Sequence, residues 1–209
     1  MPVGHHTPRN YYSVGKDTGK ITRKDRSTGE LHEFDYIEGF LKEIKYRSDS
    51  DYGDKFQFIF TDRTGQAEDI FQAGSEASYI HAIIGSLSNN EPPEGMIRFS
   101  PYLKTVNDKE YINMVAYDQT KGKDGMMRFA ENFPDSLPEI QKVKNGNKII
   151  YMKGERVEFI RKLAEQTSAK YYAKWVELTA GAGPSKPAES QIQAEDGQIL
   201  DTEGDDLPF

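Results

Sequence analysis

KFQFIFTD, residues 55–62, alternates Phe56, Phe58 and Phe60 with Lys55, Gln57, Ile59 and Thr61. A period of two puts the three rings on one side, so the segment reads as a β-strand with that face in a core. Asp62-Arg63-Thr64-Gly65 supplies a turn, and residues 66–72 read as the next strand. After the capping pair Gly74-Ser75, residues 76–87 repeat apolar side chains at Tyr79, Ile80, Ile83, Ile84 and Leu87, the spacing of one helix face. On the N-terminal side, residues 31–46 read as one long strand, with Gly39 placed for a bend or bulge. Residues 96–104 and 111–118 read as two further strands around a polar turn at 105–110.

Strand, strand, strand, helix, strand, strand is the order of an OB-fold. The expected class is therefore mainly β, a five-stranded OB-fold barrel over residues 31–118 with one helix between its third and fourth strands. Another small barrel, or an open sheet with one helix, has the same order of elements. Asp17-Thr18-Gly19 and Ser27-Thr28-Gly29 are turn signals that divide residues 1–30 into an N-terminal hairpin extension. Residues 119–178 hold a basic, glycine-containing arm, a loop with Pro134 and Pro138, and a C-terminal amphipathic helix over 155–178. Its apolar stripe is Val157, Ile160, Ala164, Tyr171, Trp175 and Leu178, which is expected to pack on the barrel or on a second subunit. Residues 179–209 are rich in Gly, Pro, Ser and Gln and lack periodicity, so a disordered acidic tail is expected.

Composition agrees with a folded unit plus a tail. Of 209 residues, 36% are hydrophobic and 29% charged, too polar for all of the chain to share one core, yet 12 Tyr and 11 Phe are too many for a wholly disordered one. The absence of Cys excludes disulfides, thiolate zinc sites and a Cys nucleophile. The opening MPVGHHTPRNYYSVGK has no apolar signal region, and no apolar run approaches the roughly 18 residues of a spanning helix. A cytoplasmic protein without a membrane partner is expected.

Enzymatic motifs are missing. No phosphate-cradling Gly-rich loop ending in Gly-Lys-Ser/Thr, no G-x-S-x-G and no H-E-x-x-H occurs, and the four His carry no metal-ligand spacing. Neither a cofactor nor a bound metal is expected. Asp49, Asp51 and Asp54 are the one acidic group that invites a metal-dependent nuclease reading, and in a Gly-containing loop they read better as turn formers.

The net charge of −7 is unevenly placed. Residues 184–209 carry one base, Lys186, against seven acids, whereas 119–175 hold twelve bases against seven acids and 1–30 hold six against three. Basic surfaces on the body and a detachable acidic segment are the expected arrangement.

The segment closes Asp205, Asp206, Leu207, Pro208, Phe209. An aromatic ring, a stiff proline approach and adjacent acids suit a partner pocket that has an apolar hole and a basic rim. DDLPF resembles the acidic tip, commonly Asp-Asp-Ile-Pro-Phe, of bacterial-type single-stranded DNA-binding proteins. The N-terminal extension and late helix give the chain a more phage-like look, which would place it in a host cell cytoplasm. The resemblance covers five residues. It implies binding of single-stranded DNA in replication, recombination or repair without catalysis, and recruitment of replication or repair enzymes through those five positions.

Sequence-tolerant binding of an unpaired strand needs Lys or Arg along a groove and rings on which bases stack. If Ile97, Phe99 and Leu103 face the core, then Arg98, Tyr102 and Lys104 face out; if Ile112, Met114 and Ala116 face in, Tyr111 and Tyr117 face out. Tyr36, Lys42, Arg47 and Tyr52 around the first strand and its loop, and Lys121, Lys123 and Arg128 on the basic arm, extend the expected path. Tyr11 and Tyr12 beside Arg9 form a possible clamp. An adaptor that binds only proteins, through the tail and the late helix, is the rival reading.

Overall fold

The computed structural model describes residues 9–48, 51, 53–145 and 148–180. The fold is mainly β. Its strands are β1 Arg9–Val14, β2 Ile21–Lys24, β3 Leu31–Phe34, β4 Ile37–Arg47, β5 Lys55–Thr61, β6 Glu68–Gly74, β7 Ile97–Val106, β8 Lys109–Asp118, β9 Met126–Met127, β10 Gln141–Asn145 and β11 Lys148–Met152. The helices are α1 Ser78–Asn89, a single turn α2 Phe133–Ser136, and α3 Gly154–Ala180. Nine strands form one sheet in the order β3-β2-β1-β6-β5-β4-β7-β8-β9, and β10 pairs only with β11.

The rings of β5 lie where their alternation places them. Phe56, Phe58 and Phe60 are buried, and Phe58 and Phe60 join Phe71 of β6 around Phe99 of β7, with edge-on or tilted ring contacts. Edge-to-face packing adds about 0.5–1.5 kcal/mol per pair beyond area burial. The opposite face of β5 is buried as well: Gln57, Ile59 and Thr61 are each under a tenth exposed, because β5 is central in the sheet and its neighbours' side chains crowd over it. α1 turns Ile80, Ile83, Ile84 and Leu87 into the same core, and packs on β8 and α3.

Three departures from the sequence reading have physical causes. The run 31–46 is two strands, broken at Asp35-Tyr36: β3 completes the N-terminal meander with β2, while β4 pairs with β5 and β7. Gly39 marks where β4 changes partner, and the register shift falls just beyond it, between Leu41 and Glu43, leaving Lys42 as the extra residue. Within the region read as loop, residues 141–145 and 148–152 pair as the antiparallel strands β10 and β11.

The third departure concerns closure. The sheet does not close into a barrel by hydrogen bonds: β6 spends its second edge on β1, which joins it in parallel from Arg9↔Glu68 to Tyr12↔Phe71. The N-terminal meander and the β7–β8 ribbon touch instead, without pairing. At the β1–β2 turn, Gly19 (φ +63°) lies so close to β7 that a Cβ there would stand 2.7 Å from Leu103 Cγ. A cleft of about 460 Å³ remains between β1 and β6 on one side and β8 on the other, lined by Val14, Ala73, Tyr79 and Ile112 among others.

α3 covers β4. Ile160, Ala164, Thr167, Ser168 and Tyr171 are its buried residues, and Ser168 Oγ accepts a hydrogen bond from the Ile44 backbone N–H at 2.9 Å. The expected stripe thus packs on the chain's own sheet.

Candidate nucleic-acid interface

β7 and β8 form a long two-stranded ribbon closed by a two-residue turn at Asn107 (φ 50°) and Asp108 (φ 59°), the left-handed pair that matches strand twist. Its register pairs Arg98 with Tyr117, Tyr102 with Asn113 and Lys104 with Tyr111. Residues directly opposite in an antiparallel pair share a face, so these side chains stand on the side away from Phe99, Met114 and Ala116, which are buried. Glu38 of β4 pairs with Arg98, which brings Tyr36, two residues earlier, onto the same face. Tyr36, Tyr102 and Tyr111 are 42, 45 and 50% exposed.

Arg98 is the hub. Its Nε and Nη2 donate to Glu38 Oε2 at 3.0 and 2.8 Å, and its guanidinium carbon lies 4.0 Å from the centre of the Tyr36 ring. Such stacking fixes the guanidinium plane and leaves its outer edge available to an anion. Lys104 is exposed and makes no ion pair among the described residues. Leu103, expected in the core, is 36% exposed because the outer half of the ribbon projects beyond the core, and it covers Gly19 instead.

The basic arm is a 3₁₀ segment, Gln119–Asp124, leading into β9, whose Met126 pairs opposite Tyr117. Lys121 and Lys123 are exposed at its end, and Lys121 approaches Asp118 at 3.3 Å. Burial pushes the Asp118 carboxyl up, but hydrogen bonds from the Thr120 hydroxyl and backbone N–H, together with Lys121, outweigh it and hold the group below its ordinary range. Arg128 is exposed just past β9, and its carbonyl accepts from Asn89 and Asn90 at the end of α1.

Other expected contacts lie apart from this face. Lys42, thrown out by the bulge, donates to Glu68 at 2.9 Å and sits 4.9 Å from the centre of the Trp175 ring beneath α3, so it belongs to the packing of helix on sheet. Burial raises the Glu68 carboxyl, and the hydrogen bonds and charges of Lys42 and Arg9 bring it net below its usual value. Arg47 is exposed at the far end of β4, nine residues or about 30 Å of strand from Glu38. Tyr52, Asp49 and Asp205, Asp206, Leu207, Pro208 and Phe209 lie outside the described residues. Asp54 accepts hydrogen bonds from the Tyr46 and Ser48 hydroxyls. Among the described residues, no group of three His, Asp or Glu is arranged to hold a metal, and no helix is long and apolar enough to cross a membrane.

Sequence reasoning named Tyr11 and Tyr12 but paired them with Arg9, which bonds Glu68 instead, and it passed over the cations that do meet these rings and over a second basic-aromatic hairpin. On the N-terminal meander, Arg26 lies over Tyr11 at 5.1 Å, and Arg23 stands 5.9 Å from the rings of both Tyr12 and Phe34. On the β10–β11 hairpin, Lys142 pairs opposite Tyr151 and Lys144 opposite Ile149. The sequence signal for the hairpin is the dipeptide Asn145-Gly146, a common hairpin-turn pair, between runs in which Lys alternates with apolar residues. No local signal marks Arg23 or Arg26, whose ring partners come from other strands. Comparison with protein-family models, with curated proteins and with solved structures finds no match to this chain.

Proposed function

We propose that this chain is a non-catalytic, sequence-tolerant single-stranded DNA-binding protein of replication, recombination or repair, built on an OB-type core. The observation that carries the reading is the face shared by Tyr36, Arg98, Tyr102, Lys104, Tyr111 and Tyr117, rings for bases interleaved with cations for phosphates. The strand pairings β4·β5, β5·β6, β4·β7 and β7·β8, with α1 between β6 and β7, support the OB-type assignment, in which β1 would stand in for the closing strand beside β6. The ribbon would form one wall of the binding path, with Lys121, Lys123 and Arg128 continuing it. The acidic segment and its DDLPF motif, similar to the tips of bacterial-type single-stranded DNA-binding proteins, would recruit replication or repair enzymes and compete with phosphates for the basic face.

Titration of the full chain with labelled oligo-dT tests this. Log K should fall with log salt by about 0.7 per neutralised phosphate, with little base preference. Tyr111→Ala should weaken binding by about 1–3 kcal/mol if a base stacks there. Deletion of residues 200–209 should tighten binding at low salt. A chain that ignores oligo-dT at modest salt refutes the reading in favour of an adaptor that binds only proteins.

A further inference from the structure

β1 and β2 are hydrogen-bonded only at Ser13↔Thr22 and Val14↔Ile21. Beyond that point they part: Arg9–Tyr12 follow β6, while Arg23 and Lys24 follow β3. The splay opens a cleft of about 550 Å³, lined by Tyr11, Lys24, Arg26 and Gln72, and a neighbouring one of about 220 Å³ that shares Tyr11, Lys24 and Arg26 and adds Arg23. Among the described residues, Asp25 is the only acid lining either cleft. Its Oδ1 accepts from the Ser27 backbone N–H and hydroxyl and from the Thr28 N–H, so it is turned into its own turn and makes no ion pair with Lys24 or Arg26. Lys24 and Arg26 are both exposed. The walls thus combine cations, an aromatic ring and an amide side chain, a set that suits phosphates, base faces and base edges.

We propose that this splayed cleft is a second binding site for single-stranded nucleic acid, joined to the β7–β8 face around the edge of the ribbon. This inference rests on the single-strand reading above. The two sites lie on opposite faces of the ribbon but close to one another: the larger cleft shares Ser13 and Gln72 with the one that reaches Ile112 of β8, and the β1–β2 turn touches Leu103, which pairs with Ile112 behind Tyr102 and Lys104. A bound strand would run from Tyr11 and Arg26 along the β1–β2 turn and around the edge of β7 beside Leu103 to Tyr102 and Lys104, so the meander lengthens the path that the ribbon alone offers.

The test uses the full chain, labelled oligo-dT of increasing length, and the variant Lys24→Ala/Arg26→Ala, which changes two exposed side chains. For a long oligomer the salt slope should become shallower by about 1.4, and affinity at ~0.1 M salt should fall roughly 25-fold. Wild-type affinity should climb with oligomer length, and the variant should lose most of that gain. Photo-crosslinking of 5-iodouracil-substituted strands to the wild type should yield a Tyr11 peptide. If the wild type binds and Lys104→Ala weakens binding, but Lys24→Ala/Arg26→Ala keeps the wild-type slope and no Tyr11 crosslink forms, the second site is overturned and the first stands. If the wild type does not bind, the single-strand reading itself fails.

Discussion

Removing an acid from the proposed interface should strengthen it in a way that can be calculated. Glu38 holds Arg98 through two hydrogen bonds to one oxygen, with both side chains about one-third exposed, 31 and 33%. A pair this wet contributes about 0–1 kcal/mol to stability, so Glu38→Gln should fold normally. The amide keeps the shape and its oxygen can still accept from Arg98, which stays stacked on Tyr36 with its charge no longer neutralised. One more phosphate contact steepens the salt slope by about 0.7, which at ~0.1 M salt is ~5-fold in affinity, or about 1 kcal/mol. Fluorescence polarisation of labelled oligo-dT across a salt series measures both quantities. Glu158→Gln is the control: it removes the same charge from an acid that pairs with Arg161 of α3, whose guanidinium lies over Tyr46 near the far end of β4. Equal behaviour of the two variants would mean that overall charge, and not the Arg98 site, governs binding.

Stability offers further checks. Phe99→Ala removes the fully buried ring against which Phe58, Phe60 and Phe71 pack, and should cost about 3–5 kcal/mol, read as a lower urea midpoint. Gly19→Ala must adopt a positive φ and press on Leu103; a cost of about 1–2 kcal/mol is expected, part of which Leu103→Ala should restore in a double-mutant cycle. His81 is buried in α1 with Nε2 donating to the Ser75 carbonyl at 2.8 Å, and burial holds its pKa below the ordinary 6.5. The unfolded chain therefore binds a proton that the native state does not. Stability is complete above about pH 6.5 and declines as pH falls toward the native value, so thermal melts should drop between neutral and mildly acidic pH, and less so in His81→Asn.

Local patterns carried much of this architecture. The rings of 55–62 fix their own strand face, since a residue two positions on must return to the same side, and all three are buried. The apolar spacing of 76–87 and 155–178 marks α1 and α3 to within a few residues, because helix periodicity is a property of neighbours in sequence. The alternation Arg98, Tyr102 and Lys104 against Ile97 and Phe99 likewise names one side of β7. The β10–β11 hairpin was as legible, through Asn145-Gly146, though the flanking alternation of Lys with Val143, Ile149 and Tyr151 is easily taken for a solvated loop.

What the residues of one segment cannot encode is which distant edge they will meet. Arg9 and Glu68 are 59 positions apart, and nothing local announces that β1 will join β6 in parallel and so occupy the edge where a barrel would have closed. Lys42 is a surface lysine by every local measure; a bulge and a helix more than a hundred residues later make it a packing residue between Glu68 and Trp175. Arg98 reads as an open cation until Glu38 arrives from another strand. Periodicity assigns faces because it depends only on the geometry of the backbone, whereas partners depend on how the whole sheet rolls, and that is decided by packing summed over all its strands.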